Sequence, residues 1–151
     1  MINLPIDTAV VVPVNLVPLV DSADPAVIED AVAYNASGMA LKWNFLTLAG
    51  VQTQTAVTPT TSGVYDWTHK GGGIYSIEIP ASGGASANNN TQGYGWFSGF
   101  VTGVLPWCGP LIFFSAGGGA DVQSIDGSAD AAVRLKRLVA GQVPVGTPWN
   151  G

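Results

Sequence analysis

His69 is the only imidazole among 151 residues, and Asp66 precedes it by three positions. A carboxylate that close to an imidazole is the beginning of a nucleophilic triad. The chemistry also needs a serine or cysteine nucleophile, and none with a nucleophile-elbow pattern accompanies the pair. His69 therefore reads as a hydrogen-bonding turn residue. Cys108, the only cysteine, lies between Trp107 and Gly109 with no nearby cation to lower its pKa, so it reads as a packed or turn-lining thiol. A single cysteine excludes a disulfide framework and a cysteine-based zinc site. Gly71-Gly72-Gly73 and Gly117-Gly118-Gly119 are glycine-rich, but neither opens a helix nor precedes the Gly-Lys-Ser/Thr of a phosphate-binding loop. Asp121, Asp126 and Asp130 lack the spacing of a calcium loop and read as a solvated acidic stretch. The expectation is a protein with no catalytic residues, no metal and no cofactor. One further chemistry is the stacking of a sugar ring on exposed indoles. At strand alternation Trp43 and Trp96 belong to a core, whereas Trp67 and Trp107 fall in loops and are the exposed candidates for a glycan.

The composition narrows the class. Charged residues make up 10% of the chain, against about 25% in ordinary soluble domains. Five Lys+Arg against ten Asp+Glu give a net charge of -5, the wrong balance for a phosphate backbone, so no nucleic-acid partner is expected. With 47% hydrophobic residues and a mean hydropathy of +0.32 the chain is no disordered segment. Residues 99–119 are long enough for a membrane span, but Pro106, Pro110 and several glycines interrupt them and no basic residue flanks the run. The first twenty residues lack a basic start, carry Asp7 and hold Pro5, Pro13 and Pro18, which does not fit a signal peptide. The expected location is the cytoplasm, with no membrane partner.

The charges are also unevenly placed. Trp43–Tyr65 and Ile79–Ala120 carry none. A solitary domain normally intersperses both signs over its surface. A domain of this size buries about 70% of its unfolded surface. The neutral remainder is expected to be covered by copies of the same chain or by another protein. The alternative is a surface kept soluble by neutral Thr, Ser, Asn and Gln.

The elements that must position these residues are short strands. Residues 8–20 hold Pro13 and Pro18 and read as an edge strand or an extended arm, so residues 1–20 are set apart. Residues 22–38 are a connection. Met39, Leu41, Trp43 and Phe45 share one face of a strand over Met39–Leu48. Val51–Thr58 suits a strand with one solvated face, and Ile74–Ile79 is a strand ended by Pro80. Residues 81–93 are a polar loop, expected as the mobile tip. Tyr94, Trp96 and Phe100 share a face of the strand 94–104. Pro106 and Pro110 bracket a turn holding Trp107 and Cys108, and Leu111–Ser115 is a buried strand. Ser128 caps a helix that carries Arg134, Lys136 and Arg137 in its last turn and stops at Gly141. The tail 142–151 ends with an exposed Trp149. About six or seven strands followed by one helix predict a mainly β fold. It is read as an immunoglobulin-like antiparallel β-sandwich over 21–124, with a short C-terminal helix and tail at 125–151 and extended arms at both ends.

Several segments together carry a family resemblance: PLVDSADP (18–25), AYNASGMALKWNF (33–45), YDWTHKGGGIYSIEIPASGGAS (65–86), GYGWFSGFVTGVLPW (93–107) and IDGSADAA (125–132). The most specific element runs from Trp67 through His69 and Gly73 to Tyr75, followed by the Gly-Tyr-Gly-Trp-Phe strand. Over roughly residues 10–140 the chain resembles a virion accessory module of tailed bacteriophages, found near the start of tail-fibre-type proteins. The resemblance implies a non-enzymatic β-sandwich that docks in the tail fibre or baseplate region against other virion proteins. It also implies a homo-oligomer, a trimer by analogy with such virion modules. Its place would be the virion, assembled in the host cytoplasm. A capsid decoration protein stabilising the shell is the alternative, and a carbohydrate-binding module for host-surface attachment is the second. Segments 2–20 and 128–151 are the expected docking elements. The candidate interaction residues are Trp67, Trp107, Arg134, Lys136, Arg137 and Trp149.

Overall fold

The computed structural model describes residues 1–81, 86–87 and 89–116, all within a compact unit spanning Met1–Gly117. The expected C-terminal helix and tail lie outside the described residues, and with them Arg134, Lys136, Arg137 and Trp149.

The described chain is mainly β. Its strands are β1 (Ile2–Pro5), β2 (Val10–Pro13), β3 (Ala40–Thr47), β4 (Gln52–Val57), β5 (Thr68–Gly71), β6 (Ile74–Ile79), β7 (Gly93–Val101), β8 (Val104–Cys108) and β9 (Ile112–Ser115). The larger sheet has the order β1-β9-β7-β3-β4, with β8 also on β7, and the smaller has the order β2-β6-β5. Leu41, Trp43, Phe45, Phe97, Trp107, Ile112 and Phe114 from the first sheet join Val12, Tyr75, Ile77 and Ile79 from the second in one hydrophobic cluster. The arrangement is thus sandwich-like. Fully burying a side chain such as Ile77 or Phe114 contributes roughly 1.5–3 kcal/mol, which is what holds the two sheets together.

The expected all-antiparallel pairing needs correction. β1 runs parallel to β9, with Ile2 opposite Ile112 and Pro5 opposite Ser115. Of the two readings of residues 1–20, the edge strand describes them, since β1 and β2 each lie at the end of a sheet. Val12, Val14 and Leu19 are buried, and β2 pairs with β6. Asn15 pins the following turn from inside: its Nδ2 donates to the Gly73 and Val17 carbonyls at 2.8 and 2.7 Å, and its Oδ1 accepts the Tyr75 N–H at 2.9 Å. A segment that supplies core side chains and satisfies buried backbone cannot cross to a neighbour without opening the core.

β3 follows its sequence alternation, with Leu41, Trp43 and Phe45 buried. β7 alternates as expected but with the opposite sense. Gly93, Gly95, Phe97, Gly99 and Val101 face inward, while Tyr94 and Trp96 are only half-buried and Phe100 is exposed on the outer face. The cause is the bulk of the facing rings. A Cβ on Gly95 would overlap the Trp43 indole, one on Gly99 would overlap the Trp107 indole, and one on Gly93 would meet first the Leu46 carbonyl oxygen at 2.5 Å and then Phe45 Cζ at 2.8 Å. The large rings on β3 and β8 leave room only for glycine at these three positions, so Tyr94, Trp96 and Phe100 fall on the outer face while Phe97 stays inward against Trp43.

β8 and β9 are two parts of one return path along β7. Cys108 pairs with Ser98 and Trp107 with Gly99, and then Ile112 pairs with Gly95 and Phe113 with Tyr94. The register slips by one residue across Gly109–Leu111, a bulge. Gly109 belongs there because a Cβ would press to 2.9 Å on the Val14 carbonyl oxygen. The expected turn around Trp107 is therefore strand, tolerant of Pro106 because β8 lies at the sheet margin.

Candidate functional site

Trp67 and Trp107, the expected exposed platform, are both buried, at 8% and 7% exposure. Trp67 stacks on Tyr75 with ring centroids 4.9 Å apart and meets Trp107 at 6.4 Å, across the space between the sheets. Its Nε1 donates to the Val32 carbonyl at 2.9 Å. The Tyr75 hydroxyl donates to the Glu29 carbonyl at 2.8 Å and accepts the Val32 N–H at 3.0 Å. Burial pushes the Tyr75 hydroxyl pKa above its usual value, only partly offset by the Val32 N–H. Together these side chains fasten the connection 29–32 to the smaller sheet. They have no face free to stack on a sugar.

His69 lies in β5 rather than in a turn. Its Nε2 is 3.2 Å from Asp30 Oδ1, which also accepts the Gly73 N–H. The pair ties the β5–β6 turn to the 29–32 connection. Asp66 is occupied otherwise, its Oδ2 accepting the Thr68 hydroxyl at 3.3 Å. The structure thus does not bring Asp66 and His69 together. Cys108 is exposed on the outer side of β8, not packed. Among the described residues no group of three or more His, Cys, Asp or Glu side chains converges as metal ligands. No helix among them is long and apolar enough to cross a membrane.

What the fold assembles instead is a surface. On the outer face of the larger sheet, pairing sets side by side Asn3 and Phe113, Tyr94 and Phe113, Asn44 and Trp96, Lys42 and Ser98, and Ala40 and Phe100. Tyr94 and Phe113 touch with centroids 5.0 Å apart. Beyond them lie Leu46, Gln52, Gln54 and Ala56 on β3 and β4. Among the described residues of these strands, Lys42 is the only charged side chain on this face. It donates to Gln54 Oε1 at 3.0 Å, Gln54 Nε2 donates to Asn44 Oδ1 at 2.8 Å, and Asn44 Nδ2 donates to Ser98 Oγ at 2.9 Å. The polar groups are thus paired with one another in a row, beside an aromatic strip. Such a face can make apolar contacts with a macromolecule, and beside its aromatic strip it carries the Lys42 amine and, opposite Ser98, the exposed Cys108 thiol.

Tyr94, Trp96, Phe100 and Phe113 were not expected on the surface. The signal was present in the alternate positions Gly93, Gly95 and Gly99, which leave room for rings from other strands. No protein-family model matches the chain, and a comparison with curated proteins finds no similar sequence.

Proposed function

We propose that this chain is a non-enzymatic structural protein of a tailed-bacteriophage virion, docked as an oligomer in the tail-fibre or baseplate region. The observation that supports the reading is the nearly uncharged outer face of the larger sheet, where Tyr94, Trp96, Phe100 and Phe113 stand with Lys42 as the single charge among the described residues of these strands. A partly exposed aromatic strip with a single charge beside it is the composition of an interface centre rather than of a free surface. The motifs quoted above supply the phage assignment. The immunoglobulin-like form of the sandwich and the C-terminal helix belong to the same proposal, as does assembly in the host cytoplasm. Density-gradient fractionation of a lysate made from the native genome tests it. The chain co-sediments with particles and, after heads and tails are separated, stays with the tails. Recovery with heads would favour the decoration role, and recovery only among free proteins would refute the virion reading.

A further inference from the structure

The sheet edges differ in how they are protected. Exposed edges present unpaired N–H and C=O groups and are normally blunted by proline, charge, bulges or short length. β1 is four residues long and ends in Pro5, and β2 is four long and ends in Pro13. β5 carries Lys70 and a register shift before Gly71. The margin of β8 is covered, because Leu105 donates to the Val20 carbonyl at 3.0 Å and Val104 bridges to Asp21. β4 has none of these devices. It is six residues, Gln-Thr-Gln-Thr-Ala-Val, regular in register against β3, and exposed on both faces from Gln52 to Ala56. Among the described residues nothing pairs with its outer edge.

The direction of its free groups follows from the hairpin. The Thr47 N–H donates to the Val51 carbonyl at 2.9 Å, so Thr47 and Val51 form a hydrogen-bonded pair. Alternation then makes Phe45/Thr53, Trp43/Thr55 and Leu41/Val57 the bonded pairs. The backbones of Gln52, Gln54 and Ala56 therefore point away from β3.

We infer that β4 is a homotypic contact, pairing antiparallel with β4 of a second copy about a two-fold axis through Gln54. That register is self-complementary. Gln54 faces its own counterpart, Gln52 faces Ala56, and every outward N–H and C=O of these residues finds a partner. The same register keeps each side chain on its own side of the sheet, setting Thr53 beside Thr55 on the inner side, with hydroxyls in reach of each other. No like charges oppose one another, because β4 carries none. The second copy is the natural occupant, since any chain added there must bring an extended neutral strand and each copy brings one. Isologous pairing of this kind closes after two subunits, unlike the three-fold assembly implied by the family resemblance. The inference is independent of the phage reading, whose contacts lie on the sheet face.

The full chain at micromolar concentration, measured by sedimentation velocity, provides the test. Two variants act on the edge by different means. Gln54→Pro removes an outward N–H and keeps the backbone ladder to β3, losing only the side-chain bonds to Lys42 and Asn44, and Thr53→Lys adds a charge where the copies meet. Each weakens the dimer at least about tenfold while the circular dichroism spectrum is unchanged. In a Cys108→Ser background, Gln54→Cys forms an intermolecular disulfide and Thr58→Cys does not. A trimeric wild type, or variants that dimerise as the wild type does, would overturn the inference and leave the virion reading standing; a monomeric wild type would overturn the inference and count against the oligomeric part of that reading.

Discussion

Gly99→Ala adds one methyl group at a point where the fold has left no room. The new Cβ would overlap Cζ2 and Cε2 of Trp107 and lie 2.8 Å from its Nε1. The indole has little freedom to yield. Trp107 is held opposite Gly99 by the β7–β8 register, and its other side meets Trp67 at 6.4 Å. Overpacking a core typically costs about 1–3 kcal/mol. Here the obstacle is a ring clamped between sheets, so the upper end applies, about 3 kcal/mol. At ~2–4 °C per kcal/mol for chains of this size, the melting temperature should fall by about 10 °C. Urea unfolding followed by tryptophan fluorescence measures the loss at constant m-value. Trp107→Leu alone should cost about 3 kcal/mol through lost contacts and the space left behind. In the double variant the added methyl occupies part of that space, so the combined loss is smaller than the sum by at least about 1 kcal/mol. A Gly99→Ala protein within about 0.5 kcal/mol of wild type, or strictly additive losses, would refute the claim that the β7 glycines exist to admit rings from β3 and β8.

Two further outcomes follow from the connections. Tyr75→Phe removes the hydroxyl that serves both Glu29 and Val32, leaving a buried N–H unpaired, and should cost about 1–3 kcal/mol in urea while the β spectrum persists. Asp21 has its carboxyl pKa lowered by the backbone N–H of Asp24 and then of Ala23, which donate to Oδ1 at 2.9 and 2.6 Å. A depressed folded pKa gives stability that is present above the unfolded value near 3.8 and is lost as pH falls through the folded value. Acid titration of melting temperature should therefore be flatter below about pH 4 in Asp21→Asn than in wild type, and identical profiles would count against the role of this turn.

Much of the fold was legible where one residue pattern carried one meaning. β3 alternates apolar and polar side chains against a single core, so its inner face could be read directly. β7 alternates too, but three of its five inner positions are glycines whose purpose is set by Trp43, Phe45 and Trp107 on other strands. Hydrophobicity alone then assigned the wrong face. β8 was hidden by Pro106 and Pro110, which mark a turn unless the strand lies at a margin. The parallel union of β1 with β9 depends on residues more than a hundred positions apart and has no local signal. Trp67 and Trp107 were misplaced for a related reason: their neighbours are turn-forming, and burial is decided by the opposite sheet. The neutral character of the site was readable in the charge-free run Ile79–Ala120, whereas the side of the sheet that displays it was not.

The most direct measurement is the position of this chain in a reconstruction of the particle made from its native genome. Density for the chain is expected in the tail-fibre or baseplate region, with Tyr94, Trp96, Phe100 and Phe113 covered by a neighbouring chain. Particles lacking the chain, or a bound chain whose larger sheet turns that face to solvent, would contradict it.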